Sequence, residues 1–143
     1  MGKGETLEDT SAMFSLFLDV LVLRLYEEEK LYEFSRHSKI PIINGLTNES
    51  HPCQVLTDIF TFQELRGGIA GKKVVWLGVA NNVFQSFLHA AVALNFNIVF
   101  SGPSKFQPNK KMCEFLRGRD SNILTVEQNP IVAVEKADLI VTD

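Results

Sequence analysis

Apolar positions along this chain switch repeatedly between helical spacing and short continuous runs. Leu7, Met13, Phe14, Phe17 and Leu18 recur at helical spacing behind an acidic first turn, which predicts a helix over residues 5–19. The aliphatic run from Val20 to Tyr26 predicts a buried strand, interrupted only by Arg24. A helix over residues 27–38 carries Leu31 and Phe34 and ends on Arg36 and His37, and Ile40-Pro41-Ile42-Ile43-Asn44 is the next strand. Pro52 opens a long helix bearing Val55, Leu56, Ile59, Phe60 and Phe62, closed near Gly67-Gly68. The cycle then repeats, with strands predicted at residues 73–78, 97–100, 123–126 and 139–142. Helices over residues 82–94, 108–116 and 131–137 separate them, with a break at Ser101-Gly102-Pro103. Strands alternating with helices mean βαβ units, so the expected class is α/β, parallel sheets with helices on both faces. Gly67-Gly68-Ile69-Ala70-Gly71 is the best boundary, so the chain is expected to hold parts of two sheets, with the long helix before it as the bridge.

Composition narrows the class without naming a chemistry. At 143 residues the chain has the length of about one domain, and 45% hydrophobic residues suit a folded protein. A net charge of −3 without a basic cluster argues against a nucleic-acid partner. No apolar run reaches the roughly 18 residues of a membrane span, and Met1-Gly2-Lys3-Gly4-Glu5 lacks a signal-peptide core. Met1-Gly2 falls short of a myristoylation signal in this acidic context. Two distant cysteines, Cys53 and Cys113, fit a reducing, cytoplasmic setting. No cofactor and no metal are expected.

Three local features carry candidate chemistry. His51-Pro52-Cys53-Gln54 places His51 at the flank of a helix start and Gln54 three residues on, along the same face. Donors at a helix N-terminus suit a carbonyl oxygen or a developing oxyanion, while the plain alternative is a helix cap. Gly78-Val79-Ala80-Asn81-Asn82 is a strand-to-helix turn, where open α/β sheets hold ligands. It is no dinucleotide fingerprint, since Ala80 and Val83 stand where glycines would. It suits a small carboxylate, or Asn81 or Asn82 simply caps the helix. Arg24, inside an aliphatic run, is either a strand-end residue reaching water or a fixed cation for an anionic ligand.

Taken together these segments resemble the ornithine carbamoyltransferases. Gly4-Glu5-Thr6-Leu7-Glu8-Asp9-Thr10, Arg24, Pro41-Ile42-Ile43-Asn44-Gly45-Leu46, His51-Pro52-Cys53-Gln54 and Asn81-Asn82 follow that family's order and spacing across the chain. The resemblance implies parts of two Rossmann-like domains joined by a long helix. Residues 1–50 would be the C-terminal part of the carbamoyl-phosphate-binding domain, 51–68 the bridging helix and 69–143 the N-terminal part of the ornithine-binding domain. It further implies carbamoyl transfer from carbamoyl phosphate to the side-chain amine of L-ornithine, giving citrulline and phosphate. Arg24, His51 and Gln54 match carbamoyl-phosphate-binding positions, with Arg24 and His51 catalytic. Asn82 and Asp143 match ornithine-binding positions. The family implies a homotrimer in the full-length form and no membrane or nucleic-acid partner.

The same resemblance sets limits. The family's Ser-Thr-Arg-Thr-Arg phosphate loop would lie upstream of Met1, and its His-Cys-Leu-Pro loop beyond Asp143. The isolated chain is therefore expected to be inactive. Val79 and Ala80 replace the family's Asp-Gly, Gln85 stands where histidine is common, and Ala12 where arginine is usual. Two alternatives stay open: a carbamoyltransferase for another amine such as putrescine, and a non-catalytic remnant or interaction domain.

Overall fold

The structure is a computed structural model and describes residues 4–118 and 123–143. The expectation about Met1-Gly2 lies outside them. The chain divides into two compact units, Met1–Cys53 and Gln54–Asp143.

In the first unit, α1 (Leu7–Phe17) and α2 (Glu28–His37) accompany two parallel strands, β1 (Leu21–Arg24) and β2 (Ile42–Leu46). Thr6 starts α1, its hydroxyl accepting from Asp9 N–H. The two helices meet through the Phe14 and Phe34 rings, 6.4 Å apart, and through the buried Ser11 hydroxyl, which donates to the Phe34 carbonyl at 3.0 Å. The strands are shorter than the apolar runs suggest. Pairing shifts register between Leu23 and Arg24, which ends β1 before Tyr26. Their outward residues, Val22 and Ile43, are exposed, so this short sheet buries one face only among the described residues.

The second unit carries a four-stranded parallel sheet in the order β5-β4-β3-β6. Its strands are β3 (Lys73–Leu77), β4 (Asn97–Ser101), β5 (Leu124–Val126) and β6 (Leu139–Thr142). Val74, Val75 and Trp76 are all buried, the continuous apolar run expected of a parallel strand covered on both faces. The core joins these strands to the inner residues Val55, Ile59 and Phe62 of α3 (Pro52–Arg66), and to Phe84, Phe87 and Leu88 of α4 (Asn82–Leu94). Trp76 tilts against Phe84 and Phe87 at 5.5 and 5.9 Å, and Phe84 meets Phe100 edge-on at 5.1 Å. Asn95 ends α4 in the left-handed conformation, φ 56°.

Two short helices complete the unit, α5 (Lys110–Glu114) and α6 (Pro130–Val134). Both are shorter than the periodicity predicts. Asn109 caps α5 and delays its start, while α6 stops early because Glu135 is non-helical and Lys136 sits at φ 55°. A 3₁₀ turn over Ser104–Phe106, which the apolar pattern does not announce, follows the Gly102-Pro103 break. Among the described residues no helix is long and apolar enough to cross a membrane.

Candidate active site

In the first unit the candidate residues collect at the C-terminal ends of the two parallel strands. Arg24 is the last residue of β1 and pairs in register with Leu46, the last of β2. It is exposed, and it makes no salt bridge with another described residue. This is the strand-end position, with the guanidinium open to water and to any anion that arrives there.

Beyond Leu46 the chain turns through Thr47–Ser50 into His51 and α3. Thr47 is fully buried; its hydroxyl oxygen accepts from Ser50 N–H at 3.0 Å, and its own N–H donates to the Ser50 carbonyl at 2.8 Å. Cys53 donates its thiol to the Asn44 carbonyl of β2 at 3.3 Å. Pro52 is the first residue of α3, so half-buried His51 occupies the flank of the helix start, as its sequence position predicts. Arg24 and His51 thus emerge from the same end of one small parallel sheet.

Gln54 belongs to the second unit and is exposed. Its side-chain N–H donates to Asp58 Oδ1 at 2.9 Å, one helical turn on. That contact uses one of the two N–H groups of the amide. An open groove of ≈ 700 Å³ between α3 and β6 includes Gln54, Asp58, Arg66 and Asp138 in its lining but none of the other four candidates. The candidate chemistry does not gather in this groove. Asp138 serves the fold there: its carboxylate accepts from Lys73 N–H at 2.9 Å and from Lys72 Nζ at 3.1 Å. The Lys73 amide foremost, then Lys72, hold its pKa below the usual carboxylate value.

The remaining pair lies where the strand order of the second unit reverses. From β3 the sheet grows one way through β4 and β5 and the other way to β6, and the crevice at such a reversal is the usual ligand position in open α/β sheets. Asn82 is the first residue of α4, just after the β3 turn, and Asp143 directly follows β6. The structure brings these turns together through Asn81, the residue before Asn82, which caps the helix and also reaches a carboxylate. Asn81 accepts from Phe84 N–H at 3.0 Å as the N-cap, and its Nδ2 donates to Asp143 Oδ2 at 2.6 Å. Asn82 Oδ1 accepts from Val83 N–H at 3.0 Å.

Backbone contacts explain why Val79 and Ala80 are tolerated in this turn. The Val79 carbonyl accepts from Trp76 Nε1 at 3.0 Å, and Ala80 N–H donates to the Phe106 carbonyl at 2.9 Å. Neither bond needs a particular side chain. Gly78 adopts φ 134°, and a Cβ on Gly102 would stand 1.9 Å from the Gly78 carbonyl oxygen. The two glycines therefore let the β3 and β4 turns cross in near contact. A cleft of ≈ 380 Å³ lined by Gly78, Ser101, Ser104 and Gln128, among others, opens beside them.

Comparison with known proteins converges on one family. The description "Aspartate/ornithine carbamoyltransferase, carbamoyl-P binding domain" matches residues 1–64, and "Aspartate/ornithine carbamoyltransferase, Asp/Orn binding domain" matches residues 70–143. The ornithine carbamoyltransferase of Ruegeria pomeroyi is 46% identical over 143 residues, covering 100% of this chain and 46% of the relative. That of Roseobacter denitrificans is 47% identical, with the same coverage of 100% and 46%. The crystal structure of ornithine carbamoyltransferase from Burkholderia thailandensis superposes with a TM-score of 0.87 at 39% identity, over 100% of this chain and 48% of that one. The Pyrococcus furiosus enzyme gives a TM-score of 0.87 at 33% identity, over 99% and 46%. The chain spans about half the length of the curated relatives it matches. With its parallel α/β architecture and both domain matches in sequence order, the chain belongs to the aspartate/ornithine carbamoyltransferase family.

Proposed function

We propose that this chain contributes to carbamoyl transfer from carbamoyl phosphate to the side-chain amine of L-ornithine, giving citrulline and phosphate. The observation that carries the reading is that Arg24 ends β1 while His51 follows the turn that leaves the C-terminal end of its partner strand β2. Asn82 and Asp143 flank the strand-order reversal of the other unit and supply the acceptor half. Under this reading residues 1–50 form the C-terminal part of the carbamoyl-phosphate domain, 51–68 the bridging helix and 69–143 the N-terminal part of the ornithine domain. The protein then acts in arginine metabolism, in the cytoplasm and as a trimer in its full-length form.

The residue types suit the reaction. A neutral amine attacks the carbamoyl carbon, negative charge builds on the carbamoyl oxygen, and phosphate leaves. Arg24 and His51 donate to that oxygen, and Gln54 holds the carbamoyl amide through its complementary donor and acceptor. Losing one preorganised donor costs about 3 kcal/mol of barrier, on the order of a hundredfold in rate. No protein nucleophile is required, so holding the two substrates in line supplies much of the acceleration.

Calorimetric titration with carbamoyl phosphate tests the reading. Binding by the chain that disappears in His51→Ala and Arg24→Ala, and survives in Asn82→Ala, is expected. Binding unaffected by all three substitutions would overturn it.

A further inference from the structure

We propose that Glu28 is a positioning residue for His51, holding the turn that delivers the imidazole. The proposal rests on the functional role given to His51 above; its geometric half stands without it. Glu28 is the first residue of α2, where a carboxylate is favoured by the positive end of the helix. From there one oxygen, Oε1, accepts from two hydroxyls of the turn after β2. Thr47 Oγ1 donates at 3.2 Å, and Ser50 Oγ makes a short hydrogen bond to the same oxygen. Asn44 Nδ2 donates to Ser50 Oγ at 2.8 Å, so the Ser50 hydroxyl is held from both sides. Hydroxyls bonded to a carboxylate are held more firmly than hydroxyls bonded to neutral groups.

The consequence for His51 follows from covalent geometry. The Ser50 carbonyl accepts from Thr47 N–H at 2.8 Å, and that carbonyl lies in the planar peptide bond leading into His51. On its other side Pro52 confines His51 to extended backbone. His51 is therefore fixed from behind by the anchored turn and from ahead by the proline, and Glu28 is the anchor. Asn44 Oδ1 is buried without a hydrogen-bond partner among the described residues, so this ordering is kept at a polar cost.

The nuclear magnetic resonance signals of the three histidine rings in the full 143-residue chain provide the test. In Glu28→Ala and Ser50→Ala the His51 ring signal is expected to shift or broaden, while His37 and His89 stay in place. Glu28→Gln, whose carbonyl oxygen still accepts from both hydroxyls, is expected to restore it. Carbamoyl phosphate affinity should fall by about tenfold in Glu28→Ala and recover in Glu28→Gln. An unmoved His51 signal in Glu28→Ala and Ser50→Ala overturns the proposal, as does equal loss in Glu28→Gln and Glu28→Ala. Should Glu28→Ala fail to fold by circular dichroism, Ser50→Ala decides, since it removes the Ser50 hydroxyl with its bonds to Glu28 and Asn44 and leaves α2 intact. If carbamoyl phosphate leaves the wild-type His51 signal unmoved, the substrate assignment falls and the ring-position comparison alone decides on Glu28.

Discussion

The side-chain amide of Asn81 donates to the carboxylate of Asp143 at 2.6 Å, joining residues 62 positions apart. The same side chain caps α4, so one asparagine both starts a helix and ties the β3 turn to the end of β6. Asn81→Ala removes both contacts. Loss of an asparagine cap costs about 1 kcal/mol, which lowers the melting temperature of a unit of this size by about 4–8 °C. Asn81→Asp should keep the cap and lose only the link, because two carboxylates then face each other. Differential scanning calorimetry separates the two variants.

Gly102→Ala is expected to be far more damaging than its single methyl suggests. The added Cβ would stand 1.9 Å from a backbone oxygen of Gly78, and a strand end cannot yield as a flexible side chain does. We expect a loss of about 3 kcal/mol, the upper part of the usual range for overpacking. Gly68→Ala, whose Cβ meets nothing within 4 Å, is the control. Denaturant unfolding followed by fluorescence compares them; equal midpoints would contradict the close approach.

Much of this architecture is legible along the chain, and the reasons differ by element. Val74-Val75-Trp76 reads as a buried parallel strand because burial on both faces leaves no polar alternation. Pro52 marks the start of α3 because proline suits a first helical position. The Asn81–Asp143 link is invisible locally, since it depends on β3 and β6 becoming neighbours. The 3₁₀ turn at Ser104–Phe106 is equally hidden: its Phe106 carbonyl is engaged by Ala80, from another turn. Glu28 looks like one more acid in Glu27-Glu28-Glu29 until the fold sets Thr47 and Ser50 against it. Short-range signals specify elements, whereas tertiary contacts select which of several similar side chains matters.

Tyr32 reports on that acidic neighbourhood. The Glu28 carboxylate foremost, then burial, Glu49 and Glu29, push its hydroxyl above the ordinary tyrosine value of 10.0. A folded pKa raised above the unfolded one means that stability is intact below that ordinary value and falls as pH rises through the raised one. In a Tyr26→Phe background, ultraviolet absorbance follows Tyr32 alone. Glu28→Gln should bring its midpoint down towards the ordinary value, and an unchanged midpoint would remove Glu28 as the main cause.

Asp138 makes the opposite prediction at acid pH. Its lowered pKa means that the stabilisation is present above the ordinary carboxylate value of 3.8 and is lost as pH falls through the lower, folded value. Acid titration followed by circular dichroism should show this loss in the wild type. Asp138→Asn, which cannot ionise, should start less stable at neutral pH and lack that component of the acid dependence.

The single tryptophan, Trp76, lies in the core of the unit formed by residues 54–143, whereas both tyrosines, Tyr26 and Tyr32, lie in the unit formed by residues 1–53. The chain is thus colour-coded by its own composition. Excitation at the red edge of indole absorption interrogates one unit, and tyrosinate formation interrogates the other. Whether the two halves melt as one body or in succession can therefore be read from the unlabelled protein in a single cuvette.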